Sequence, residues 1–210
     1  MMPSMAAKPA DVPAAWAAAP PRAVIFDLDG TLTRPLLDFD AIRAEIGLRP
    51  RLPILEQLAA GDDALRARAE PILRRHENDA IDRATLSDGC AELLRRLDER
   101  RVPTAILTRN TRDAVAAFVH KFALSFRAIY TREDGPPKPS PAGVLALCDR
   151  MGAIVAHTVA VGDYKFDVQA GRAAGCRTVL LAETAPDDLD EWGSPDLVVP
   201  SLRALLSLWG

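Results

Sequence analysis

Phe26-Asp27-Leu28-Asp29-Gly30-Thr31-Leu32 is the stretch that decides the fold of this 210-residue chain. Four apolar residues, Ala23 to Phe26, lead directly into two aspartates, and a glycine follows. An unbroken apolar run of this kind is typical of a strand buried on both faces of a parallel sheet. The aspartates then lie at its carboxyl end, where open α/β sheets bind their ligands. An ordinary turn also uses Asp and Gly, so this stretch alone leaves that alternative open.

The two neighbouring carboxylates indicate chemistry as well as structure. Crowded at one strand end, they repel each other and lose water. A divalent cation bound by both, or a proton shared between them, relieves that repulsion.

The composition limits the class of protein. Hydrophobic residues make up 49% and charged residues 26% of the chain, which is ordinary for a soluble globular protein with one sizeable core. The net charge of −3 gives no large basic surface, so nucleic acid is not an expected partner. No apolar run approaches the roughly 20 residues that span a bilayer, so no membrane partner is expected. The chain has three cysteines, Cys90, Cys148 and Cys176. Their spacing matches no zinc site, so we expect free thiols in a reducing compartment, and this predicts a cytoplasmic location.

The first 21 residues are rich in Ala and Pro. A secretory signal needs an unbroken apolar stretch, and the prolines interrupt any such stretch here. We therefore expect residues 1–21 to form a flexible N-terminal tail. The true start stays open among Met1, Met2 and Met5.

Strand-length apolar runs alternate with helical patterns after the tail. Beyond the first strand, the predicted strands are Thr104 to Leu107, Ala128 to Tyr130, Val159 to Val161, Thr178 to Leu181 and Leu197 to Val199. Apolar stripes at helical spacing separate them. One stripe, Cys90 to Leu97, takes Ser87 as its predicted N-cap. This alternation predicts an α/β fold, a doubly wound parallel sheet.

One long segment breaks the alternation. Residues 35–85 show helical periodicity interrupted by glycines and prolines, and three or four short helices fit there. We therefore predict an α/β core domain of residues 22–34 and 86–210, with a small all-helical cap domain of residues 35–85 inserted into it. A helical module beside a site at strand ends suggests a lid, and a static cover over one edge is the alternative.

Polar clusters follow four of the predicted strands, each at the carboxyl end. Such ends meet at one edge of a parallel sheet, so residues from separate strands converge there. The clusters are Asp27 with Asp29, Thr108-Arg109-Asn110, Lys138 in a proline-rich turn, and Asp163 with Asp167. Each is a weak signal alone, but their common placement predicts an active site.

With these four clusters in order, the chain resembles the haloacid dehalogenase superfamily from Ala23 to about Val199. The helical insertion between the first and second motifs is similar to that of the C1-capped members of subfamily I, which include phosphoglycolate phosphatases. The resemblance implies a hydrolase. It would be a Mg²⁺-dependent phosphatase that cleaves a small phosphomonoester through an aspartyl-phosphate. The expected partner is thus a small phosphorylated metabolite.

The resemblance also implies roles for single residues. Asp27 matches the nucleophile, and Asp29 matches the general acid that protonates the leaving alkoxide and then activates water. Thr108 matches the hydroxyl that binds the phosphoryl group. Lys138 matches the ammonium that neutralises charge on phosphate and nucleophile.

The implied metal ligands are Asp27, Asp29, Asp163 and Asp167, with Asp29 contributing its backbone carbonyl. Hard oxygen ligands, without clustered His or Cys, favour Mg²⁺ over Zn²⁺.

Two departures from the family pattern bear on the substrate. Thr33-Arg34-Pro35 stands where Asp-Ser is common, and Arg109 stands between Thr108 and Asn110. Arg109 and Asn110 are candidate substrate-binding residues. For Arg109, contact with a second anionic group of the substrate and simple solvation are both open.

Other functions within the family differ in their demands. A dehalogenase releases halide and needs no second aspartate, so Asp29 argues against that branch. A phosphomutase uses both aspartates but must exclude water, and it remains the alternative. A non-catalytic regulatory protein would not need Asp27 or Lys138. The sequence leaves monomer and homodimer open.

Overall fold

The computed structural model describes residues 21–209, so nearly all of the predicted tail lies outside the described residues. Within that range the strands are β1 (Ala23–Phe26), β2 (Thr104–Leu107), β3 (Ala128–Tyr130), β4 (Thr158–Gly162), β5 (Arg177–Leu181) and β6 (Leu197–Val199). The α-helices there are α1 (Phe39–Ile46), α2 (Ile54–Ala60), α3 (Asp63–Arg83), α4 (Cys90–Glu99), α5 (Arg112–Phe122), α6 (Ala142–Met151), α7 (Lys165–Ala174) and α8 (Leu202–Trp209).

All six strands form one parallel sheet in the order β3-β2-β1-β4-β5-β6. The predicted doubly wound α/β fold is confirmed. In chain order, β2 and β3 follow β1 on one side of it, and β4, β5 and β6 then follow on the other side. The strand order therefore reverses beside β1. Ligands bind at the carboxyl ends of strands at such a reversal. In register, Phe26 pairs with Ile106 on one side and Val161 on the other.

The backbone divides into two compact units. We call the first the core unit, which runs up to Arg34 and continues with Thr85–Arg109 and from Ser125 onward. It contains the sheet. The second, the helical unit, comprises Pro35–Ala84 and Asn110–Leu124.

The core unit buries an apolar layer between its strands and α6, in which Ile25, Leu107, Tyr130 and Leu147 pack together. The three cysteines are buried free thiols, as predicted. Among residues 21–209, no helix combines the length and the apolar character that a membrane crossing requires.

The predicted N-cap of α4 is wrong. Gly89, not Ser87, is the N-cap, with a left-handed φ of 80°. A Cβ at Gly89 would lie 2.5 Å from the backbone of Arg203 in α8. The close approach of α8 therefore requires a glycine at this position, which local sequence does not reveal.

The chain leaves and re-enters the core unit at adjacent points. Thr33 and Leu86 form an antiparallel bridge. The Ser87 N–H donates to the Leu32 carbonyl at 3.0 Å, and the Arg34 N–H donates to the Thr85 carbonyl at 3.1 Å. The insertion thus begins and ends without disturbing β1.

The helical unit has its own apolar core and its own polar ties. Its core includes Ile42, Ile46, Ile54, Leu58, Ala69 and Leu73. The buried Glu77 of α3 accepts hydrogen bonds from the Thr111 N–H and hydroxyl, at 3.3 and 3.1 Å, where α5 begins. Lys121 Nζ donates to three carbonyls where α3 ends.

Two features of the helical unit differ from expectation. Residues 110–124, which the sequence assigned to the core domain, cluster with it because α5 packs against α3. One of its helices, α3, is 21 residues long and passes through Pro71, whereas only short helices were expected.

Candidate active site

Two neighbouring strands, β1 and β2, place the predicted site residues Asp27 and Thr108. Asp27 follows β1, and its N–H donates to the Val161 carbonyl of β4 at 2.9 Å. Thr108 follows β2, and its N–H donates to the Tyr130 carbonyl of β3 at 3.0 Å. The sheet ladder therefore continues one residue past each strand and fixes the backbone from which both side chains project.

A buried lysine lies between two buried aspartates. Lys138 Nζ donates to Oδ1 of Asp27 and to Oδ1 of Asp167, and the lysine side chain is 4% exposed. Lysine is rarely buried this completely unless carboxylates partner it. The structure thus joins three of the four predicted clusters in one ionic contact.

Asp167 is held by the start of α7. Its carboxylate accepts the N–H of Tyr164 at 3.1 Å, as in a capping box. A Cβ at Gly162 would lie only 2.1 Å from the Asp167 carboxyl carbon. Gly162, at the end of β4, therefore leaves the space that this carboxylate fills.

Asp163 is held by the first motif. The Thr31 hydroxyl donates to Asp163 Oδ1 at 3.2 Å. Gly30 has a φ of +81°, and a Cβ there would lie 2.1 Å from Asp163 Oδ2. Gly30 is thus required both by the turn and by the nearby carboxylate.

Three carboxylates of this site fit a metal ion. Asp27, Asp163 and Asp167 each offer one oxygen, and these oxygens lie within 4.8 Å of one another. Hard oxygen donors at this spacing suit a small divalent cation. The Asp29 carboxylate is not in this set, and the predicted role of its carbonyl stays a prediction.

The pKa values reflect an excess of buried negative charge. Burial, followed by repulsion from Asp167, Asp163 and Asp29, raises the pKa of Asp27 well above its usual value despite Lys138. Burial and then the Asp167 charge raise the pKa of Asp163 to about 7. One ammonium does not balance these carboxylates. A divalent cation would supply the missing positive charge and keep them ionised.

The remaining predicted site residues are the three that directly follow β2. Thr108 is buried directly after β2. Arg109 is half-buried, and its Nη1 donates to the Lys138 carbonyl at 2.6 Å, so simple solvation is not its state. Asn110 is buried and belongs to the helical unit, so its role stays a prediction.

Sequence reasoning gave no role to Thr31 or Phe166. Thr31 lies inside the first motif, which was a signal that it contributes to the site. The Phe166 ring lies 4.8 Å from the Arg109 guanidinium, and no local pattern predicts that contact.

Comparison with known proteins identifies the family of this chain. The family model for haloacid dehalogenase-like hydrolases matches residues 21–175. A haloacid dehalogenase-like hydrolase domain-containing protein of Arabidopsis thaliana is 34% identical over 89% of this chain and 83% of its own length. A phosphoglycolate phosphatase of Pseudomonas putida is 30% identical over 89% of this chain and 79% of its own length.

Solved structures share the fold. The crystal structure of a hydrolase from Pseudomonas syringae superposes with a TM-score of 0.74 at 23% identity, covering 88% of this chain and 96% of that one. The chain belongs to the haloacid dehalogenase-like hydrolase family. It is therefore a hydrolase.

Proposed function

We propose that this protein is a Mg²⁺-dependent phosphatase that hydrolyses a small phosphomonoester through an aspartyl-phosphate, with substrates like those of phosphoglycolate phosphatases. One observation carries the proposal. The Asp27 carboxylate contacts the buried Lys138 ammonium and lies within 4.8 Å of carboxylate oxygens from Asp163 and Asp167. A nucleophilic carboxylate needs such positive charge close by to approach an anionic phosphoryl group. Several relatives named phosphoglycolate phosphatase support the substrate class.

In the first step, an oxygen of Asp27 bonds to phosphorus and the bond from phosphorus to the ester oxygen breaks. Lys138 offsets the negative charge of the nucleophile and the phosphoryl group. The Thr108 hydroxyl binds a phosphoryl oxygen. Bound Mg²⁺, held by Asp27, Asp163 and Asp167, would neutralise further charge on the transferring group.

Asp29 acts as the general acid and then as the general base. Asp29 is half-buried and stands two residues after Asp27 in the first motif. In its protonated form it gives a proton to the leaving alkoxide. It then takes a proton from the water that attacks the aspartyl-phosphate, which releases phosphate and restores Asp27.

The test is a screen for phosphate release. Purified protein with Mg²⁺ is incubated with phosphoglycolate, a sugar phosphate and a nucleoside monophosphate, and Asp27→Asn protein prepared in parallel controls for contaminating phosphatases. We expect the unmodified protein, but not the Asp27→Asn protein, to release phosphate from at least one substrate. A rearranged phosphorylated product without free phosphate would indicate the phosphomutase alternative. No reaction with any phosphomonoester would contradict the proposal.

Gly30→Ala is expected to lower kcat by roughly 10- to 100-fold, because a displacement of about 1 Å in a site can cost about 100-fold. The new Cβ would lie 2.1 Å from Asp163 Oδ2, so that carboxylate must move. Gly152→Ala is the matched control, since Gly152 also has a positive φ, +65°, but nothing lies within 4 Å of its Cβ position. Steady-state kinetics of both variants check the prediction. Equal activity in both would mean that Asp163 tolerates displacement.

A further inference from the structure

Arg109 contacts two segments of the site at once. Its Nη1 donates to the main-chain carbonyl of Lys138 at 2.6 Å. Its guanidinium carbon lies 4.8 Å from the centre of the Phe166 ring, and Phe166 immediately precedes Asp167. One arginine after β2 therefore touches the two segments that carry the ion pair of Lys138 with Asp167.

The turn that carries Lys138 has few hydrogen-bond donors of its own. Four of the residues from Gly135 to Pro141 are prolines, which have no backbone N–H. The Ser140 N–H donates to the Pro137 carbonyl at 3.0 Å within this turn. The Arg109 guanidinium, a donor from outside the turn, adds a further hydrogen bond to its backbone, at the carbonyl of Lys138.

Lys138 depends on a well-fixed backbone. Its side chain is long and flexible, yet its Nζ must meet carboxylates that follow two different strands, Asp27 after β1 and Asp167 after β4. A shift of the backbone at residue 138 moves the point from which the side chain reaches both carboxylates, and a displacement of about 1 Å in a site can cost about 100-fold in rate. The bond from Arg109 fixes the backbone at that same residue.

We infer that Arg109 is a positioning residue for Lys138, which it holds by its backbone so that the ammonium stays between Asp27 and Asp167. The role is structural support for a catalytic group, not direct contact with the substrate. Its kinetic consequence rests on the proposed phosphatase function, whereas its effect on the state of Lys138 does not.

Acetylation of lysine side chains measures how well Lys138 is buried and paired, without any assay of activity. Lys138 of the unmodified protein should react slowly with acetic anhydride, because it is buried and paired with two carboxylates. In Arg109→Ala protein, acetic anhydride should acetylate Lys138 several-fold faster, as measured by peptide mass spectrometry. Lys165, which is only half-buried, serves as the reference within each sample.

Arg150→Ala is the matched control. Arg150 Nη1 also donates to a main-chain carbonyl, that of Ile129 at 2.7 Å, and its guanidinium lies 5.8 Å from the Tyr130 ring. The Arg150→Ala substitution removes the same kind of contact but none with Lys138, so the acetylation of Lys138 should stay slow. Arg109→Leu keeps an apolar contact with Phe166 and loses the donor, and it serves if the alanine variant does not fold. Acetylation of Lys138 at the unmodified rate in a folded Arg109 variant would overturn the inference.

Kinetics separate positioning from substrate binding. Because Lys138 acts on the phosphoryl group that all substrates share, Arg109→Ala should lower kcat on phosphoglycolate and on p-nitrophenyl phosphate alike, by roughly 10- to 100-fold, with a smaller change in KM. A loss confined to KM for phosphoglycolate would assign Arg109 to the second anion of the substrate and overturn the inference. No loss on either substrate would overturn it as well. If the unmodified protein hydrolyses no phosphomonoester, the proposed function fails, and the acetylation result decides the role of Arg109 by itself.

Discussion

Replacing Asp27 by Asn is expected to abolish phosphate release, with kcat falling by roughly four powers of ten or more. An amide is a poor nucleophile, and it cannot form the covalent intermediate. The substitution also removes one of the three carboxylates that fit a divalent cation. Rates are measured with Mg²⁺ and the best substrate of the screen.

The fold should survive this substitution. Asp167 remains as a partner for Lys138, and the amide removes a buried charge that is crowded by Asp163 and Asp167. The melting temperature should therefore be unchanged or higher. Asp113→Asn is a control, because the Asp113 side chain is 77% exposed and lies in the helical unit. If folded Asp27→Asn protein keeps more than about a tenth of the activity, Asp27 is not the nucleophile.

Removal of divalent cations should have an effect of similar size. Dialysis against EDTA is expected to reduce phosphate release to background, and added Mg²⁺ should restore it. The buried carboxylates repel each other, and a cation held among them offsets that repulsion. Ca²⁺ should restore little, because it prefers longer bonds and more ligands than Mg²⁺.

Cation binding can be followed without turnover. A ligand that binds only the folded state raises the melting temperature, so Mg²⁺ should stabilise the dialysed protein, and Asp163→Asn should weaken that stabilisation. Full activity after exhaustive chelation would exclude the metal from the mechanism.

The sheet could be predicted because its signals are local. Each strand is an apolar run that ends at polar residues, and burial on both faces of a parallel sheet requires such runs. The location of the candidate site was predicted from the same pattern. Asp27, Thr108 and Asp163 stand directly after strands that prove to be neighbours or next neighbours in the sheet.

The features that sequence reasoning missed depend on long-range contacts. Gly89 is the N-cap of α4 because α8 passes close to it, more than a hundred residues later in the chain. Thr31 and Asp163 are 132 residues apart in sequence. Residues 110–124 cluster with the helical unit through side chains such as Glu77 and Lys121, whose partners no local pattern identifies.

Trapping the covalent intermediate tests the aspartyl-phosphate mechanism directly. Protein with Mg²⁺ is mixed with a ³²P-labelled phosphomonoester that it hydrolyses, and the reaction is quenched in acid within one turnover. We expect label on the peptide that contains Asp27, stable in acid and released by hydroxylamine, with none in Asp27→Asn protein. Hydrolysis that proceeds while no label reaches the protein at any time within that turnover, or label on a different residue, would contradict that mechanism.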